Sequence, residues 1–252
     1  MKSADRHDRI ERIVNQEGSI TIASLKRHFP NISDMTLRRD LESMDRANRI
    51  IRVHGGARSL QPSVGMEDDY LRRDMLHVED KQEIAQKVLS LIRPNTCFFI
   101  DSGTTATTVC RALPQERYLI YTSGLSCAKE LKKLEKSEVY LLGGKLNTAS
   151  LSTYGSAALD SIQNVHFYLA IVGSTGFDYT YGFTAENAED AKLKREVLRR
   201  AEKRIVVMDS SKVGKVSTYT FAMPEDIDIL VSDRHLDEDT KQHLVRSNVR
   251  LI

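Results

Sequence analysis

The sequence predicts an α/β protein in two parts: a small N-terminal unit of three helices closed by a β-hairpin, and a larger domain built on a mostly parallel sheet. Three observations carry this. Residues 33–58, SDMTLRRDLESMDRANRIIRVHGGAR, join a capped amphipathic helix to a short basic hairpin. From residue 79 onward, helix-like and strand-like segments alternate to the end of the chain, the pattern of a parallel sheet covered on both faces. The polar and glycine residues of that half gather where its strands end.

In the N-terminal unit, residues 6–16 carry Ile10, Ile13 and Val14 at helical spacing, and Gly18 is a stop signal. A second short helix, from residue 21 or 22 to 28, turns Leu25 and Phe29 inward. Ser33 is a good N-cap for the third helix, and Asp34 puts negative charge at its positive end. Met35, Leu37, Leu41 and Met44 read as its buried stripe, leaving Thr36, Arg38, Arg39 and Ser43 on the solvated side. Residues 49–53 then alternate basic and apolar side chains, His54, Gly55 and Gly56 make a turn, and residues 57–59 return as a second strand. This is the layout of a winged helix-turn-helix, whose third helix lies in the major groove of duplex DNA while flanking cations touch phosphates. An isolated arginine pair more often merely solvates a helix. Here the first 58 residues hold twelve Lys or Arg against eight Asp or Glu, a net of +4, and the remainder has 25 against 27, a net of −2. Positive charge is concentrated where the hairpin and paired arginines lie.

In the larger half, helix 79–92, strand 97–101, helix 104–113 and strand 118–122 follow in order. Strands at 139–142, 167–172, 204–208 and 227–231 come next, with a long helix at about 188–201 between two of them. Ligands of such sheets bind beyond the carboxyl ends of the strands. Asp101, Ser102, Gly103, Thr104 and Thr105 lead from a strand into a helix, so amides, hydroxyls and a helix N-terminus converge in a way that suits a phosphate. The Asp101 carboxylate would repel that phosphate and is better suited to a sugar hydroxyl or a cap. YTSGLS, LLGGKL and VVMDSSKVGK place Ser123, Gly144 and Lys212 at three further strand ends, Lys212 as a point charge for phosphate. Lys194, near Glu189, Asp190 and Glu196, reads first as a member of intrahelical ion pairs.

The break between the parts is expected within residues 60–66, LQPSVGM. This gives a DNA-binding unit over 1–59, a linker over 60–76 and a ligand-binding domain over 77–252. Tyr70, Leu71 and Met75, at helical intervals, would dock the end of the linker on the second domain. The composition, 40% hydrophobic and 29% charged with a net charge of +2, is that of an ordinary globular protein. No apolar run approaches the roughly 20 residues that span a bilayer, and the polar N-terminus is unlike a signal peptide, so a cytoplasmic protein without a membrane partner is expected. Cys97, Cys110 and Cys127 are odd in number and widely spaced, which predicts buried reduced thiols and neither metal nor other cofactor. Asp101, Asp209 and Lys212 could serve an isomerase or deaminase as acid and base groups. The seven histidines are scattered, however, and no nucleophile–base pair is readable, so catalysis is the weaker reading.

Arg6 or Arg9, followed by Ser33, Thr36, Leu37, Arg38, Arg39, Asp40, Leu41 and then His54, Gly55, Gly56 and Ala57, resembles the signature of the DeoR/GlpR family of bacterial transcriptional repressors. The turn before Ser33, FPNIS, is one residue longer than the family's usual turn and contains Pro30. IDSGTT, TSGLSCAKEL, VYLLGGKL, YGSAALDSI, the GF of YGFTAENAEDAKLKRE and VVMDSSKVGK extend the resemblance over nearly the whole chain. It implies a C-terminal fold related to ribose-5-phosphate isomerase and CoA transferases that binds a phosphorylated sugar. It also implies DNA contacts from Thr36, Arg38 and Arg39, to which Ser33, Arg52, His54 and Arg58 are added as flanking candidates. Asp101, Ser102, Gly103, Thr104, Thr105, Ser123, Gly144, Lys194 and Lys212 become the effector-site candidates. Because one winged domain buries little surface, a homo-oligomer on repeated operator half-sites is expected, released by the sugar phosphate.

Overall fold

The computed structural model describes residues 3–17, 19–47, 49–53, 55–59 and 70–252. The N-terminal unit runs α1 (Ser3–Glu17), β1 (Ser19–Thr21), α2 (Ile22–His28), α3 (Asp34–Arg46), β2 (Ile51–Val53) and β3 (Gly56–Arg58). Ser33 caps α3 as expected, its hydroxyl accepting the Thr36 amide at 3.2 Å. Thr21 does the same for α2, accepting from Ser24 at 3.1 Å. Ile10, Val14, Leu25, Phe29, Leu37, Leu41 and Met44 form the core that joins the three helices.

Met35 departs from the expected stripe and is 63% exposed. Leu37 is two positions farther on, a rotation of about 200° that puts the two on opposite faces. Asp40 takes the vacant place beside Leu37, Leu41 and Met44. The Arg6 guanidinium donates to its carboxylate at 2.6 and 2.8 Å, and His7 lies at 2.9 Å. Burial pushes the Asp40 carboxyl up, but the hydrogen bonds from Arg6 and His7 outweigh it and hold the group below its ordinary range.

The hairpin carries a third strand that was not anticipated: the antiparallel sheet has the order β1-β3-β2, with Ile20 opposite Ala57 and Arg52 opposite the same residue on the other side. A Cβ on Gly56 would run into the Ile20 carbonyl oxygen, so the approach of β1 demands glycine there.

The larger part begins with α4 (Tyr70–Met75), α5 (Val78–Leu89), β4 (Cys97–Ile100), α6 (Thr104–Ala112), β5 (Leu119–Thr122), α7 (Leu125–Leu131) and β6 (Glu138–Leu141). A hairpin, β7 (Lys145–Asn147) and β8 (Ser152–Tyr154), precedes α8 (Ser156–Asp160) and β9 (Phe167–Gly173). Next come β10 (Gly176–Asp178), β11 (Gly182–Ala185), α9 (Ala188–Arg199), β12 (Ala201–Val207) and a 3-10 turn, Ser210–Lys212. β13 (Tyr219–Ala222), a second 3-10 turn at Pro224–Asp226, β14 (Ile229–Val231), α10 (Glu238–Arg246) and β15 (Arg250–Leu251) complete the chain.

Seven strands form one sheet in the order β15-β14-β12-β9-β4-β5-β6, every adjacent pair parallel. Alternate residues of the central strands feed two cores, Phe99, Ala170, Val172 and Val206 on one face and Phe98, Ile100, Ile171 and Ile205 on the other. A small antiparallel sheet, β10-β11-β13, stands apart from it. From β4 the order runs outward in both directions, so the crevice between β4 and β9 is the switch point where such sheets bind ligands. Cys110 and Cys127 are buried free thiols, whereas Cys97 is half-buried.

Candidate functional site

The cations of the N-terminal unit fall into two groups. Arg6 is spent on Asp40, and Arg49 on Glu11 and on Asp8 at 2.6 Å, fastening α1 to the rest of the unit. Arg38 and Arg39 are exposed on α3 and have no carboxylate partner among the described residues. Thr36 is half-buried beside them, its hydroxyl 2.9 Å from that of the exposed Ser33. The Asp45 side chain accepts the backbone amide of Arg52 at 2.8 Å, which ties β2 to the end of α3. Arg38, Arg52, Gly55 and Gly56 consequently share the walls of one groove with two aspartates, Asp45 of α3 and Asp239 of α10 in the larger part. That arrangement offers a duplex side chains for base edges and for phosphates together. His54 and the side chain of Arg58 lie outside the described residues.

At the β4/β9 crevice a cavity of about 490 Å³ opens, within the range of small-ligand sites. Ser102, Gly103, Thr104 and Thr105 line it at the start of α6, whose first-turn amides lack intrahelical acceptors. Gly103 has φ +97°, a left-handed conformation that puts glycine at the helix entry. Asp209, Ser211 and Lys212 line another side, and Ser150, Ser152 and Tyr154 bring hydroxyls from the β8 region.

Asp101 is only 1% exposed and lies beneath this wall. The buried Lys194 ammonium pairs with it, donates to the Gly173 carbonyl at 3.0 Å and stands 3.4 Å from Asp190. The Gly173 amide donates to the Asp101 carboxylate at 2.9 Å. Burial alone would push the Lys194 ammonium down; Asp101 and Asp190 outweigh it and hold it above the ordinary lysine range. The Lys194 ammonium thereby offsets the Asp101 charge a phosphate would otherwise meet, while Asp190 keeps a carboxylate on the wall. Asp209 is also buried; Lys212 and the Ser211 hydroxyl overcome the cost of burial and keep its carboxyl low. Alongside the carboxylates of Glu17, Glu186, Asp190 and Asp209, the wall offers helix amides, lysines and a row of hydroxyls, donors that suit an anionic, polyhydroxylated molecule.

Of the nine candidates in this half, six stand on the cavity wall: Ser102, Gly103, Thr104, Thr105, Lys194 and Lys212. The other three do not. Asp101 is below the wall, and Ser123 is fully buried behind it, 3.5 Å from the Asp101 carboxylate. Gly144, at φ +127°, turns the chain into β7 with no room for a Cβ against the Tyr154 carbonyl. β5 and β6 lie progressively farther from β9, so the loops that follow them support the hairpin carrying Ser152 instead of touching the cavity: Gly124 bridges to Ser152.

Sequence reasoning missed Gly173, Ser174 and Thr175 on the wall, although VGST after a strand has the same signature as the loops it identified. It also missed Arg73 and Lys81. Both lie on helices, where periodicity gives no sign of a site.

Residues 6–63 match the DeoR-like helix-turn-helix domain, and residues 76–234 match the DeoR C-terminal sensor domain. The chain is 31% identical to the HTH-type transcriptional regulator GlpR of Haloferax volcanii, covering 100% of this chain and 98% of the relative. To the glycerol-3-phosphate regulon repressor of Escherichia coli strain K12 it is 30% identical, covering 100% and 99%. Among solved structures, ribose 5-phosphate isomerase A from Neisseria gonorrhoeae aligns over 57% of this chain and 55% of its own, with 16% identity and a TM-score of 0.39.

Proposed function

Because this chain belongs to the DeoR family of helix-turn-helix transcriptional regulators, we propose that it represses carbohydrate-metabolism genes and leaves its operator when a phosphorylated sugar fills the β4/β9 cavity. The observation that carries this reading is the cavity's chemistry: Lys212 and the free amides of α6 for a phosphate, with hydroxyls from Ser102, Thr104, Ser150 and Ser152 for a polyol. The names of the relatives, one of them a glycerol-3-phosphate regulon repressor, agree with it. Asp101, which an isomerase reading would use for proton transfer, is committed to Lys194.

In this scheme a cytoplasmic homo-oligomer binds repeated half-sites through α3 and the hairpin, with Arg38 and Arg39 reading bases and Arg52 reaching phosphates. No helix among the described residues is long and apolar enough to cross a membrane. The sugar phosphate favours a conformation that fits the operator poorly, so operator DNA must weaken effector binding by the same factor.

The test combines gel shifts on operator DNA with a thermal-shift screen of phosphorylated sugars and their unphosphorylated counterparts. Arg38→Ala should weaken operator binding by about 1–3 kcal/mol with its effector-induced thermal shift unchanged. Lys212→Ala should bind operator normally and fail to let go when the sugar phosphate is added. Wild-type release in Lys212→Ala would place the effector elsewhere.

A further inference from the structure

The N-terminal unit is docked on the sensor domain. Asn15 and Glu17, at the end of α1, stand on the wall of the β4/β9 cavity. On α2, the Arg27 guanidinium lies 4.0 Å from the carboxylate of Asp80, in the first turn of α5. On β2, a Val53 methyl faces Gly214, 4.0 Å from where a Cβ on that glycine would lie. Three elements of the small unit therefore meet the larger part independently.

A fourth meeting concerns the DNA-reading face itself. Asp239 of α10 lines the groove that holds Arg38 and Arg52. It belongs to an acidic run, Asp237, Glu238 and Asp239, at the start of that helix. Asp237 is committed as the N-cap, accepting the Thr240 amide at 2.9 Å, whereas Glu238 and Asp239 are exposed. Carboxylates favour a helix N-terminus on its own account. That preference does not explain why this one stands in a groove with two arginines, on a unit whose first 58 residues carry a net charge of +4. In charge, a carboxylate is a protein counterpart of the DNA phosphate. A duplex offering base edges to Arg38 and phosphates to Arg52 would run into α10 and a like charge in the same groove.

We propose that this docked arrangement is an autoinhibited state: the acidic first turn of α10 occupies the operator-reading groove, and the N-terminal unit must leave the sensor domain before it can take DNA. The inference rests on the reading of α3 and the hairpin as the operator surface and requires no ligand in the cavity. Only the undocked fraction binds, so the apparent operator affinity is the intrinsic one reduced by that fraction. Weakening the docked state raises it without adding a DNA contact.

Binding is measured on a duplex that the wild-type protein selects from a randomised library. Asp239→Asn removes one exposed charge from the groove, and affinity should rise about 2- to 5-fold, the range of an exposed ion pair. Glu225→Gln removes the same charge from an exposed site outside the groove and should bind as the wild type does. Spin labels at Arg12→Cys on α1 and Val245→Cys on α10, both exposed positions, report the docking directly. In a Cys97→Ser background, with labelled chains diluted into unlabelled protein, they should give one separation in the free protein and a longer one on the selected duplex.

Unchanged affinity in Asp239→Asn would overturn the autoinhibition, as would a label separation that is the same with and without DNA. An equal gain in Glu225→Gln would assign the effect to net charge and overturn it as well. Wild-type affinity in Arg38→Ala would instead remove the reading of α3 on which the proposal rests, whatever the labels show. Should Asp239→Asn fail to fold, the separations measured with Asp239 in place decide alone.

Discussion

Each half of the molecule contains a buried carboxylate neutralised by a cation from a distant helix, Asp40 by Arg6 and Asp101 by Lys194. The first pair joins α1 to α3 inside a small hydrophobic unit. The second lies under a cavity, with Lys194 on its wall. The same chemistry serves two ends: fully enclosed, it fixes the angle at which α3 is presented, and beneath a cavity it sets the charge a ligand meets. A buried ion pair is therefore informative mainly through what lies next to it, since the pair itself is often neutral for stability compared with well-packed apolar residues.

The comparison can be broken at its strongest point by Arg6→Ala, which leaves Asp40 buried with only His7 beside it. This should destabilise the N-terminal unit by about 3–5 kcal/mol, read by urea denaturation. Because folding holds Asp40 below its ordinary value, the stabilisation is complete above about pH 4 and is lost as pH falls through the lower, folded-state value. The gap between wild type and Arg6→Ala should accordingly close on acidification. A gap that stays constant from pH 7 to pH 3 would show that Arg6 does not hold the Asp40 carboxyl low.

Next in size is Asp101→Asn. The amide still accepts from Gly173, and Lys194 keeps Asp190, so the loss in stability should be about 1–3 kcal/mol. The cavity floor loses a negative charge, and phosphate affinity, measured by calorimetry, should rise by roughly 1 kcal/mol. Weaker phosphate binding would mean that Asp101 aids the ligand directly. The smallest effect belongs to a third pair, Arg204 with Asp228 at 2.7 Å, each more than a third exposed. Arg204→Ala should cost about 1 kcal/mol or less, and a larger loss would undo the ranking by burial.

Much of this architecture was legible in the chain. Helical periodicity located α1, α2 and α3, the Ser33 cap located the start of α3, and the apolar runs located six strands of the parallel sheet. β1, β10 and β15, two or three residues each and without an apolar run, carry too little pattern to be read before their partners are known. Met35 was misplaced because an i, i+2 neighbour was counted with an i, i+4 stripe. In the cavity, the loops after β4 and β12 were readable from their Gly, Ser and Asp residues. Which strand ends meet depends on strand order, and order is decided by long-range pairing: Ser123 and Gly144 follow strands on the far side of β4, whereas Ser174 and Thr175 follow its neighbour β9. Lys81 owes its position to a turn at His77, whose φ of +52° sets α5 back against α4.

The contact of β1 with Gly56 has a consequence for how this protein can change over time. The hairpin is backed by a strand from the connection between α1 and α2, so its root is welded to the helical body through a backbone approach that admits no side chain. Descendants that shift to new operators can vary the surface of α3 and the hairpin's outer strand freely. Any that replace Gly56 must first push β1 away, and with it the support that gives the hairpin its aim.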